Sequence, residues 1–180
     1  MSSWITKLVK SKRKFLAVPA LVLATGGTAL AVLPPSSGGE QLQMLNASDN
    51  VLSATSSTAF VDIPGATRVV GVPSGTTNLI NARLTAESNC VRAIPALGGQ
   101  CNTRIVAQRI GGATVELSPQ PGLDRYVFDS VGTDGAESHA MESSIRLGVG
   151  TYVIRAQRAV TSYAVSFRLD DWHLAVEVSA

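Results

Sequence analysis

The sequence predicts an all-β protein: an antiparallel β-sandwich, jelly-roll-like, preceded by an N-terminal hydrophobic export or anchor helix. Three observations carry this. From Ala59 onward, segments rich in Val, Ile, Thr, Tyr and Phe are divided by Gly, Pro and Ser clusters, with the spacing of ~8–12 residues that marks a sandwich or barrel. Beyond the leader no segment shows an apolar stripe of helical period. The stretch 15–33 carries no charge and directly follows Lys7, Lys10, Lys12, Arg13 and Lys14.

That leader sets the compartment. Two readings stand. In one it is a signal peptide, with a basic start, an apolar core from Phe15 to Ala24, a break at Gly26-Gly27, and Ala29-Leu30-Ala31 as the small-residue cleavage pattern. In the other it stays as an uncleaved transmembrane anchor, since roughly 20 apolar residues can span the hydrocarbon core. The basic cluster keeps the N-terminus inside in both cases. The expected organisation is therefore 1–33 leader, 34–57 flexible linker rich in Ser, Gly, Asn and Pro, and 58–180 sandwich. A short helical turn around Gln41–Leu45 and a glycosylation sequon at Asn46-Ala47-Ser48 are minor features of the linker.

Charge and cysteine content narrow the function. Five of the 15 basic residues lie in 1–14, so the remainder holds ten arginines against 13 acids, a net charge of −3. A mildly acidic exported domain does not suit nucleic acid, which needs a basic patch to neutralise phosphates. No lysine follows Lys14 to serve as a Schiff-base nucleophile. Cys90 and Cys101 are the only cysteines. In an oxidising compartment they are expected to form one disulfide, closing a short loop worth about 2–3 kcal/mol. Two lone cysteines do not make a structural zinc site, and they are not a C-x-x-C redox pair.

Taken in order, the strands expected are Ala59–Ile63, Arg68–Val72, Asn78–Ser88, Thr103–Ile110, Ala113–Ser118, Arg125–Asp129, Ser138–Leu147, Tyr152–Val160, Tyr163–Leu169 and Trp172–Val178. In Asn78–Ser88, Ile80, Ala82, Leu84 and Ala86 alternate with Asn81, Arg83, Thr85 and Glu87, the mark of a half-buried strand. Gly111-Gly112 reads as a tight hairpin with positive φ at both positions. The Ser138–Leu147 strand places His139, Met141, Ser143, Ile145 and Leu147 on one face. Near the C-terminus the apolar positions are odd through Leu169 and even from Trp172. A one-residue slip turns every later side chain over, so a β-bulge or turn is expected at Asp170-Asp171.

Few residue groups suggest chemistry. Asp129, Asp134 and Glu137 fall in one Gly-rich loop, and Asp170-Asp171 with His173 form a second acidic group. Either offers hard oxygen ligands to a cation such as Ca2+, although the spacing is not that of an EF-hand. No cofactor is expected otherwise. A Ser-His-Asp set could be assembled from Ser138 or Ser143, His173 and Asp170 or Asp171, but no G-x-S-x-G elbow exposes a serine. Glu87, Glu142 and Glu177 are expected to face outward. With aromatics at 5% of residues, and Trp172, Phe167 and Phe128 facing inward, a stacking platform for sugars is sparse. Tyr126, Tyr152 and Tyr163 are the spare aromatics.

Leu79–Cys90, and Phe167–Glu177 with its Asp170-Asp171-Trp172-His173, resemble exported proteins of unknown function from high-GC Gram-positive bacteria. The resemblance covers roughly residues 58–178 and implies no activity or site residues. The final strand also resembles, at the level of fold, the closing strands of complement C1q and tumour-necrosis-factor jelly rolls, which implies a homo-oligomer. The expectation is a secreted or cell-surface, non-enzymatic module for ligand binding or self-association, held at the membrane by residues 15–33 if uncleaved. The alternative is a lectin-like module or small hydrolase using the Asp170–His173 turn and the acidic loop 129–137.

Overall fold

The computed structural model describes residues 40–92, 99–119, 127–130, 135–161 and 164–180. The expected leader and the helix expected in it lie outside them, as do Asp134, Tyr126 and Tyr163. Among the described residues no helix is long and apolar enough to cross a membrane.

Among the described residues ten strands form two antiparallel sheets: β1 (Gln41–Asp49), β2 (Ser53–Thr55), β3 (Val61–Val72), β4 (Asn78–Arg92), β5 (Gln100–Arg109), β6 (Thr114–Glu116), β7 (Val127–Ser130), β8 (Glu137–Leu147), β9 (Gly150–Val160) and β10 (Ala164–Ser179). Sheet A has the order β1-β10-β4-β8, with β2 also on β10; sheet B has the order β3-β9-β5-β6, with β7 also on β5. The two sheets bury a shared apolar interior. Phe167, Ile63, Ile80, Leu84, Ile105, Leu117, Ile154, Leu169 and Leu174 are all fully buried, each contributing about 1.5–3 kcal/mol by leaving water.

The expected linker 34–57 is corrected in its described part: Gln41–Asp49 and Ser53–Thr55 are the strands β1 and β2, so the sandwich includes residues ahead of 58. The reason is that β1 is an edge strand. It buries Ala47 and half-buries Leu45, while Met44, Asn46 and Ser48 face out, so its apolar signal is too thin to read as a strand. One of its carbonyls is capped from the other sheet, where Arg68 of β3 donates from Nε (2.7 Å) and Nη2 to Asn46 O.

The two strands expected at Ala59–Ile63 and Arg68–Val72 are one strand, β3, whose register shifts between Asp62 and Thr67. Gly65 lies in that irregular stretch at φ +77°, with the Trp172 ring of sheet A 3.4 Å from where a Cβ would stand. The hairpin between β5 and β6 is present, but only Gly111 of the Gly-Gly pair has positive φ. Its loop runs over 110–113, closed by Gly112 N–H to the Arg109 carbonyl at 2.9 Å.

The last two expected strands are continuous in β10. The parity change is a β-bulge. Asp170 pairs with Glu87 and His173 with Thr85, one residue more on β10 than on β4, and Asp171 takes φ +43°. The bulge keeps Phe167 and Leu169 before it, and Trp172, Leu174, Val176 and Val178 after it, all within the core.

Candidate functional site

The strand pairings sort the expected site residues onto three surfaces. The first faces the interior at the end of the sandwich where β7 meets β8. Ser88, at an inward position of β4, is 1% exposed. Its hydroxyl donates to Asp129 Oδ2 at 2.8 Å, and 2.9 Å away lies His139 Nδ1. A hydroxyl has one proton. With that proton given to Asp129, the His139 Nδ1–H is the donor to Ser88. On the other side of the ring, Nε2 lies 3.8 Å from Glu137 Oε2, an ion pair only when the ring is protonated. The Phe128 ring leans on the imidazole at 5.7 Å between centroids.

Ser88, His139 and Asp129 are thus a Ser-His-Asp set that the sequence did not single out. Its wiring is unlike that of a nucleophile: a catalytic serine gives its proton to histidine and faces substrate, whereas Ser88 gives its proton to a carboxylate and is buried. The set ties β4 and β8 of sheet A to β7 of sheet B. Beside it runs the Cys90–Cys101 disulfide, with Cα atoms 5.7 Å apart. Cys101 pairs in register with Asp129, so the covalent bridge and the polar bridge hold the two sheets together at one end. Asp129 and Glu137 of the expected acidic loop meet here, around His139 and not around each other.

The second surface is the bulge on the opposite, outer side of sheet A. Asp171 and His173 are exposed and Asp170 is half-buried. With Ser48, Asp49 and Asn50 of β1 and the following turn, Asp171, Trp172 and His173 line an open groove of about 450 Å3. The sheet backbone separates this group from Asp129, so the two acidic groups do not form one site. Among the described residues no three His, Cys, Asp or Glu side chains are placed to hold a metal ion. Of the serines considered with His173, Ser143 is buried on the inner face and Ser138 is exposed on the outer one.

The third surface is the centre of the same outer face, built by register. Asn46, Ala175, Arg83 and Glu142 form one row across β1, β10, β4 and β8; Met44, Glu177, Asn81 and Ser144 form the next. Ala175 leaves a dip where its neighbours are longer, a depression of about 200 Å3 lined by Met44, Asn81, Arg83, Glu142, Ala175 and Glu177. Asn81 Nδ2 donates to Glu142 Oε1 at 2.8 Å. Arg83 and Glu177, diagonal to each other across β4 and β10, make no hydrogen bond or ion pair among the described residues, so a cation and an anion line one depression. Their outward placement follows from the alternation of β4 and β10. Their convergence does not, because it needs the strand order.

Fold and surface together define an antiparallel β-sandwich with one inter-sheet disulfide and a polar, mixed-charge outer face. No family model and no curated protein matches the chain. Among solved structures, infectious bursal disease virus (Gx strain) shares 14% identity at a TM-score of 0.43, over 89% of this chain and 37% of the viral chain. Dimeric latent PorU from Porphyromonas gingivalis shares 10% at 0.39, over 86% and 14%. The CBM22-1 xylan-binding domain of Paenibacillus barcinonensis Xyn10C shares 8% at 0.27, over 77% and 96%. At such overlaps these neighbours bear on neither family nor function.

Proposed function

We propose that this chain is an exported β-sandwich, secreted or held at the cell surface by residues 15–33, which acts by binding and not by catalysis. Its ligand surface is the outer face of sheet A around Ala175. One observation carries the reading: Arg83 and Glu177 flank the depression with no hydrogen bond or ion pair among the described residues, beside the Asn81–Glu142 pair. Donors and acceptors alternate there on a rigid sheet. A sugar hydroxyl both donates and accepts, and Met44 offers an apolar contact, so a carbohydrate chain suits the face. The strand orders β1-β10-β4-β8 and β3-β9-β5-β6 support the finer description of a jelly roll, an architecture that serves in lectins. The buried disulfide supports an oxidising compartment.

The test is calorimetric titration of the chain with a panel of neutral and acidic oligosaccharides. Arg83→Ala and Glu177→Ala are each expected to weaken binding at least tenfold, about 1.4 kcal/mol. Unchanged affinity in both variants refutes the assignment. A second reading, self-association, is favoured by the exposed Leu42, Met44, Val51 and Leu52 on and after edge strand β1. Light scattering decides it: a monomer at high concentration removes it.

A further inference from the structure

In β9 the buried Tyr152, Ile154, Ala156 and Arg158 alternate with the half-buried Val153, Arg155 and Gln157, so Arg158 points into the sandwich. It pairs in register with Val61 on one side and Thr103 on the other, and is 3% exposed. Its guanidinium crosses from sheet B to sheet A, where Nη1 donates to the Ser53 carbonyl at 2.9 Å. Two further buried groups at this junction have no hydrogen-bond partner among the described residues: Arg158 Nε and the hydroxyl of the same Ser53. No acid among the described residues pairs with Arg158. Burial without a counter-charge pushes its pKa below the ordinary value.

A buried cation satisfied by one neutral carbonyl is costly, and the cost falls when an opposite charge joins it. The N–H of Arg158 Nε can only donate, whereas the Ser53 hydroxyl donates or accepts, so the partner Arg158 lacks is an acceptor, to which the Ser53 O–H can donate as well. We propose that the Arg158–Ser53 junction between the sheets binds a small monovalent inorganic anion of the chloride class, held by Arg158 Nε–H and Ser53 Oγ–H. Small size and single charge follow from the enclosure, because neither donor reaches solvent and a divalent oxyanion sheds its water at greater cost. The site is independent of the outer face of sheet A.

The full chain is melted in sodium chloride and in sodium gluconate at equal ionic strength. A ligand that binds only the folded state stabilises it in proportion to its concentration above the dissociation constant. Tenfold more chloride is therefore expected to raise the folding equilibrium constant roughly tenfold, with no such rise in gluconate. Arg158→Met should abolish the dependence, and Ser53→Ala should weaken it while keeping the fold. Crystals soaked in bromide should show an anomalous peak beside Arg158 Nε. Identical melts of the unaltered protein in the two salts overturn the proposal. So does a chloride dependence that survives in Arg158→Met, or, should that variant not fold, one unchanged in Ser53→Ala with no bromide peak at Arg158.

Discussion

Removing a single residue from β10 should have opposite consequences on the two sides of a short stretch. Asp171 is the surplus residue of the bulge. Without it, Asp170 stays opposite Glu87 and His173 opposite Thr85, Trp172 falls opposite Ala86, and every later side chain keeps its face. The deletion also releases a non-glycine residue from φ +43°, a strain of about 1 kcal/mol. Stability is therefore expected within about 1 kcal/mol of the unaltered protein. Removing Ala175 instead leaves no such escape. Val176 and Val178, 0% and 2% exposed, turn to water while Glu177 turns inward. The two valines forfeit about 3–6 kcal/mol, and the inward carboxylate adds several more. If the bulge absorbs the loss, Trp172 and Leu174 turn out instead, at greater cost. Either outcome consumes most of a domain's stability of about 5–15 kcal/mol. Guanidinium unfolding followed by circular dichroism reads both variants. If removal of Asp171 costs as much as removal of Ala175, the register argument is wrong.

Other outcomes follow from the same structure. Replacing both Cys90 and Cys101 by Ala opens a loop spanning a sequence separation of 11 and should cost about 3 kcal/mol in chemical denaturation; a loss under about 1 kcal/mol contradicts the clamp. In protein recovered from its own cells, neither thiol should react with an alkylating agent, as read by mass spectrometry. Desolvation raises the pKa of Glu116 above 4.5, outweighing the opposing pull of Arg104. An acid whose pKa is raised on folding favours the fold at low pH, and that contribution fades as pH rises through the raised value. Glu116→Gln should therefore flatten the fall in stability just above the ordinary carboxylate range, and an unchanged pH profile argues against the desolvation.

Much of this fold was legible in the residues. Alternation in Asn78–Ser88 gave β4 its faces, and the odd-to-even switch at Asp170-Asp171 located the bulge, because both are local properties of one strand. Edge strand β1 was not legible. An edge strand buries little, and Leu45 and Ala47 alone do not announce a sheet. The Gly111-Gly112 pair marks the turn but not its detail, since the loop is longer than the glycine pair. The binding face and the Ser88–Asp129–His139 bridge join residues distant in sequence, and their meeting depends on strand order, which no local pattern encodes. Arg158 lies between: its inward parity was written in β9, but its orphaned Nε shows only when Ser53 of the other sheet is in place.

Backbone chemical-shift mapping with a bound oligosaccharide from the panel tests the central claim most directly. The predicted result is a set of shifts centred on Asn81, Arg83, Ala175 and Glu177 of β4 and β10, with β5 and β9 unmoved. Shifts centred on sheet B, or on the Asp170–His173 bulge alone, would contradict it.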